Sequence, residues 1–252
     1  MFSLSNGMRF HPEYNVWLSP TVLYAPPVAY LVLALWCHRA MKTRQTPSWV
    51  PSVVKLYNIF QVVLCLYMTI GLLPLFGIPN VFGIGLPETA QSEWFVFVHY
   101  LSKYLDWLDT VWMILKKKSD KQMSFLHLYH HATIGVVWGI VLSSGFGSGT
   151  VGYGAFINSI THVLMYTHYF VTSFGLRNPL KNYLTMWQIG QFYSCFLHAN
   201  LLLWVFSGSI KTEVWNLAWI QFFYHITMVY LFTFKLHWVP DFIKGSSGKK
   251  SA

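Results

Sequence analysis

The sequence is short of charge above all else. Of 252 residues only 10% are Asp, Glu, Lys or Arg, and only 8 are acidic. Soluble domains carry about 25% charged residues, so a water-soluble globule of this size would lack polar surface. Hydrophobic residues make up 54% of the chain, aromatics 19%, and mean hydropathy is +0.42, which excludes disorder. Period-two alternation is missing, which excludes a membrane β-barrel. Cysteine is scarce as well. Cys37, Cys65 and Cys195 lie in or beside apolar runs, and an odd trio cannot build a disulfide framework. They read as small apolar fillers, none placed beside the polar centre. Met1–Phe10 lacks an apolar core before a small-residue cleavage site, so no cleaved signal is expected. The formal charge is +9, yet the basic residues are scattered between apolar runs, so no nucleic-acid partner is expected.

What the chain does have is apolar length. A spanning helix needs about 20 mostly apolar residues. Seven stretches qualify: about Thr21–Cys37, Leu56–Phe76, Trp94–Leu115, Phe125–Leu142, Val151–Phe174, Leu184–Phe206 and Trp215–Phe234. The expected fold class is therefore an all-α multi-pass membrane protein of seven transmembrane helices. Residues 1–244 form one domain, and 245–252 form a short tail. Of the 17 basic residues, fourteen fall on one side of this scheme. They are Arg39, Lys42, Arg44 and Lys55; Lys116, Lys117, Lys118 and Lys121; Arg177 and Lys181; and Lys235, Lys244, Lys249 and Lys250. The positive-inside rule makes that side cytosolic, with the N-terminus lumenal and the C-terminus cytosolic. Lys249 and Lys250 stand near the chain end like a dilysine retrieval signal of the endoplasmic reticulum; a plain solvated tail is the alternative.

Ionisable groups inside a bilayer are costly, and their positions point to function. Span three carries Lys103, Asp106 and Asp109, then Thr110. At the helical period, Lys103, Asp106 and Thr110 fall within about 60° of one another, with Asp109 about 60° further round. Lys103 and Asp106 can pair at i,i+3. Span four opens with His127, His130 and His131 on one face. Because spans three and four meet at the basic side, Asp109 and the histidines share a level. Span five offers Asn158, His162, Tyr166 and Tyr169 as one stripe. Span six offers Gln188, Gln191 and, deeper, His198; span seven offers Gln221, Tyr224 and His225. Singly, each reads as a packing hydrogen bond. Together they outline a chamber with a greasy extension, suited to a substrate with a polar head and a long apolar tail.

These motifs resemble those of the very-long-chain fatty acid elongases, over about Leu56 to Lys235. The HxxHH box is met by His127, His130 and His131. KxxExxDT is met by Lys103, Asp106, Asp109 and Thr110, with Asp106 where Glu is common. NxxxHxxMYxYY is met by Asn158, His162, Met165, Tyr166 and Tyr169, with His168 in place of Tyr, a change expected at the pocket wall. TxxQxxQ is met by Thr185, Gln188 and Gln191. The resemblance implies seven spans, six of them forming a barrel around an acyl tunnel. It also implies condensation of a fatty acyl-CoA with malonyl-CoA to a 3-oxoacyl-CoA two carbons longer, with loss of CO2 and CoA. Both CoA esters are substrates, and no cofactor or metal is expected. Membrane lipid, the 3-ketoacyl-CoA reductase, the dehydratase and the enoyl-CoA reductase of the cycle are the expected partners. Whether the chain forms a homodimer is left open. The context around Leu128 is closer to elongases of polyunsaturated acyl chains.

For the chemistry, an imidazole is the available nucleophile, and His130 is its first candidate, with His127 and His131 orienting it or moving protons. Asn158, His162, Gln188 and Gln191 are candidates to stabilise an enolate. Lys103, Asp106 and Asp109 would anchor the histidines or contact CoA. Tyr166 and Tyr169 are expected at the substrate, and Lys116, Lys117, Lys118, Arg177 and Lys181 at a rim for CoA phosphates. Two rival readings are a di-iron membrane desaturase or hydroxylase, which needs further histidine boxes, and a seven-span receptor, which leaves the clusters unexplained.

Overall fold

The structure is a computed structural model that describes residues 7–76, 80–179 and 181–235. Among them there is no strand. The helices are α1 (Pro20–Met41), α2 (Val50–Leu72), α3 (Ala90–Leu105), α4 (Trp107–Leu115), α5 (Ser119–Gln122), α6 (Phe125–Ser143), α7 (Gly152–Thr172), α8 (Lys181–Asn200) and α9 (Thr212–Tyr230). Wide π-helical turns, Leu201–Val205 and Leu231–Lys235, extend α8 and α9. The tail at 245–252 and its lysine pair lie outside the described residues. The long apolar stretches thus become helical columns at the expected places. Of these, α1, α2 with its following turn, and α6 are long and apolar enough to cross a membrane.

The third stretch departs from expectation. It is not one helix but two, α3 and α4, parted at Asp106. The Asp109 N–H turns back to the Asp106 carbonyl at 3.1 Å, a tighter step than an α-turn. Three groups hold the Asp106 carboxylate at this break: Lys103, Gln61 and Tyr166. The tightening also brings Asp109 to the same tyrosine hydroxyl as Asp106, closing the 60° expected between them.

Packing closes a ring. α2 lies against α3 and α7, α7 against α8, α8 against α9, α9 against α6, and α6 against α3. α1 stands outside this ring, against α6 and α4. Close approach of α2 and α3 depends on Gly71, over which the Phe95 ring lies where a Cβ would be. The two ends of the ring differ. At one, Thr46 donates to the Leu115 carbonyl, Lys117 to the Met41 carbonyl, and Lys55 sits 4.4 Å over the Phe174 ring. That end gathers the basic α1–α2 and α4–α6 connections. At the other, buried Glu93 accepts from the backbone N–H groups of Arg9, Phe10 and His11, while Glu88 pairs with both Arg9 and Lys211.

Candidate active site

Local signals set the histidines in place. Ser124 caps α6, its hydroxyl accepting from the His127 N–H at 3.2 Å. Such a cap is worth about 1 kcal/mol and fixes the histidine box in the first two turns of α6. The three rings form one group: His127 and His131 have centroids 4.2 Å apart, and His130 and His131 5.6 Å. His127 Nε2 lies 2.7 Å from the Thr110 hydroxyl, which is 2.8 Å from Tyr30 of α1. His130 Nδ1 lies 3.0 Å from the Tyr224 hydroxyl. His131 lends its carbonyl to Trp107, and its buried Nδ1 has no partner.

The charged cluster lies behind the histidines. Lys103 and Asp106 are 2% and 3% exposed and pair at 3.2 Å. Isolated charges could not survive such burial, so every remaining contact matters. Lys103 donates to Asn158 at 2.9 Å, and Asn158 in turn donates to Gln191 at 3.4 Å. Asp106 accepts from Gln61 at 3.0 Å and from Tyr166 at 2.9 Å, and lies 3.7 Å from His162 Nδ1. Tyr166 also meets Asp109 at 2.8 Å; its single hydroxyl proton serves one carboxyl at a time. The pair thus contacts Asn158 through Lys103 and His162 through Asp106.

Two cavities meet at His130. The first, with about 780 Å³ of empty space, is walled by Asp109, His127, His130, His131, His162, Tyr169, Gln188 and others. The second, about 720 Å³, is mainly apolar: Ile134, Val137, Val141, Val151, Leu202, Val214 and Leu217 among its walls. His130, Asn158, Gln191 and Phe192 line both. Along α6 the polar cavity begins at Ser124 and the apolar one ends at Val141, about 16 Å beyond His130.

Most expected residues converge here, and some do not. Tyr166 is fully buried and lines neither cavity; it ties Asp106 to Asp109 from behind. His168 turns to Asn178 at 2.9 Å and is not part of either wall, contrary to its expected place at the pocket. Lys117 donates to the end of α1 with a left-handed backbone (φ 59°). Lys118, Arg177 and Lys181 are exposed, Lys116 is half-buried, and none lines a cavity. Cysteine needs a correction too: Cys195 lines the apolar cavity and Cys65 packs in the cluster that contains Tyr166, so two of the three adjoin the site. Sequence reading missed Tyr57 and Gln61 of α2. Gln61 donates to Tyr57 at 2.9 Å as well as to Asp106. A glutamine four residues after a tyrosine inside an apolar run was the available signal. Among the described residues, no three His, Cys, Asp or Glu side chains are arranged to hold a metal ion.

A family model described as the GNS1/SUR4 family (ELO) matches residues 15–249. Fatty acid elongase 5 of Trypanosoma cruzi (strain CL Brener) is 40% identical over 247 residues, covering 98% of this chain and 92% of that protein. Fatty acid elongase 5 of Leishmania major is 44% identical over 226 residues, covering 90% and 88%. Very long chain fatty acid elongase 4 of Homo sapiens is 40% identical over 147 residues, 57% of this chain and 44% of that protein.

Proposed function

The chain belongs to the GNS1/SUR4 (ELO) family of fatty acid elongases, condensing enzymes of fatty acid elongation, and on that premise we propose how this molecule works. The substrates are a long-chain, polyunsaturated acyl-CoA and malonyl-CoA. The acyl thioester sits in the polar cavity, and its tail runs into the apolar one. His130 attacks the thioester carbon, a C–N bond forms, the C–S bond breaks and CoA leaves. Malonyl-CoA then loses CO2, and its enolate carbon takes the acyl group from His130. With one proton taken up, the products are a 3-oxoacyl-CoA two carbons longer, CO2 and CoA. Asn158, His162, Gln188 and Gln191 are the polar groups placed to steady the enolate. The observation that carries this reading is the position of His130, the one box histidine on both cavity walls.

The ring of α2, α3 with α4, α6, α7, α8 and α9 is read as a barrel around the acyl tunnel, with α1 as a seventh span outside it. The basic end faces the cytosol and receives the CoA phosphates, and the endoplasmic reticulum is the membrane. Lys116 is placed in this rim: burial and the charge of Lys118 hold its ammonium below the usual lysine range, and a bound anion would favour its charged form. Accessibility labelling of single cysteines in the α4–α6 connection should report the cytosolic side; lumenal labelling would reverse the orientation.

Intact-protein mass spectrometry after acyl-CoA alone tests the reaction. An acyl adduct is expected on the wild type and none on His130→Ala. No adduct on the wild type, or an unchanged one on the variant, rejects His130 as nucleophile.

A further inference from the structure

The apolar cavity carries a histidine that the proposed reaction does not use. His225 of α9 lines its wall together with Val214, Leu217, Ala218 and Gln221. At the helical period His225 falls in angle between Val214 and Ala218, well inside this stripe. The opposite side of α9 carries Phe223 and Ile226, 60% and 44% exposed. The imidazole therefore faces the cavity and not the outer surface of the molecule.

Its hydrogen can be placed. His225 Nδ1 lies 2.8 Å from the backbone carbonyl oxygen of Gln221, one turn back along α9. A carbonyl oxygen only accepts, so Nδ1 carries a hydrogen. A second proton would put an unpaired charge on an apolar wall, at high cost. The ring is thus neutral, and Nε2 is a bare acceptor. Among the described residues nothing donates to it, yet it is not sealed in packed protein as Nε2 of His99 and of His198 are. The neighbouring Gln221 amide is already spent: it donates to the Cys195 carbonyl at 2.9 Å and meets His198 Nδ1 at 3.0 Å.

The depth of this acceptor follows from its neighbours. The Tyr224 ring stands 6.4 Å from the His130 ring and 5.6 Å from the His225 ring. α9 starts beside Lys211, which pairs with Glu88, and runs toward the basic end, so His225 is no deeper than Tyr224. The acceptor therefore stands near the level of His130, well short of Val141. An acyl chain held at His130 passes it with its carboxyl half. A plain hydrocarbon passing there strips water from Nε2 and gives nothing back. A hydroxyl on the chain gives Nε2 a donor and meets its own need for a partner.

We propose that His225 is a specificity-determining residue: its Nε2 accepts from a hydroxyl on the carboxyl half of the acyl chain, which makes hydroxylated acyl-CoAs a substrate class of this protein. This rests on the reading of the apolar cavity as the place of the acyl tail.

The test uses the full-length protein in lipid nanodiscs, with malonyl-CoA and acyl-CoAs matched in length and unsaturation. One has no hydroxyl; the others carry it in the carboxyl third, the middle or the methyl third. The carboxyl-third hydroxyl should raise kcat/KM over the plain chain by roughly 5–20-fold, and the methyl-third hydroxyl should lower it. His225→Phe keeps a ring but no acceptor, and should lose the preference. His225→Gln supplies an acceptor and should keep part of it. Each comparison is a ratio within one variant, so a smaller folded fraction cancels. Equal rates for plain and carboxyl-third chains, a gain at every position, or a preference that survives in His225→Phe overturns the proposal. If the wild type elongates no acyl-CoA, the reaction reading falls. The rise in thermal midpoint given by each CoA ester then decides the hydroxyl preference: a larger rise with the carboxyl-third hydroxyl supports it, and an equal rise overturns it.

Discussion

The buried Lys103–Asp106 pair shows what single residues must do here. Each charge is tolerable only because the other, and a full set of hydrogen bonds, accompanies it. Removing one partner leaves the other uncompensated. Lys103→Met should therefore destabilise the protein by about 3–5 kcal/mol, seen as a lower unfolding midpoint in detergent. The double variant Lys103→Met/Asp106→Leu should recover much of that stability. It should not recover elongation, because Asn158 and His162 have lost the groups that hold them. Recovery of both would make the pair a packing device only. Gln61 and Tyr166 belong to the same cluster, as neutral groups that donate to the Asp106 carboxylate.

At the scale of elements, the break between α3 and α4 and the turn before α7 do the positioning. The break at Asp106 lets two carboxyl groups reach Tyr166. The turn at Gly149 brings α7, and with it Asn158 and His162, to its place against α3. Gly149 has φ +65°, its N–H donates to Ser92 at 3.1 Å, and an added Cβ would come within 2.8 Å of the Leu86 carbonyl oxygen. A side chain there meets both a disfavoured backbone and a fixed carbonyl. Gly149→Ala should cost about 1–3 kcal/mol, measured as a fall in thermal midpoint. A variant as stable as the wild type would mean that the turn relaxes without strain.

Over the whole molecule, charge and cavities are sorted along one axis. The basic connections lie at the end where the polar cavity begins, and the Glu88 and Glu93 contacts lie at the end toward which the apolar cavity runs. A rim that attracts CoA phosphates should show itself in KM. Lys116→Gln/Lys118→Gln should raise the apparent KM for both CoA substrates, more so at low salt, with little effect on kcat. Lys117 is left intact in that test, since its ammonium closes the end of α1. An unchanged KM would leave these lysines with membrane topology as their sole role.

By itself the sequence determined the class and the cast. Hydropathy set the helical columns because a bilayer accepts few alternatives to helix. Helical period was enough to put Asn158 and His162 on one stripe and the three histidines on one face, because those relations lie within one helix. Relations between helices were a different matter. Which helix neighbours which, where Asp106 breaks its helix, and that Gln61 and Tyr57 reach the charged pair all depend on packing that no single period encodes. Tyr166 illustrates the difference: its place in the stripe was legible, but not that its hydroxyl meets the two carboxylates from outside both cavities. The tertiary structure alone decided that His130 stands where the two cavities join, because that position is set by α6, α7, α8 and α9 together.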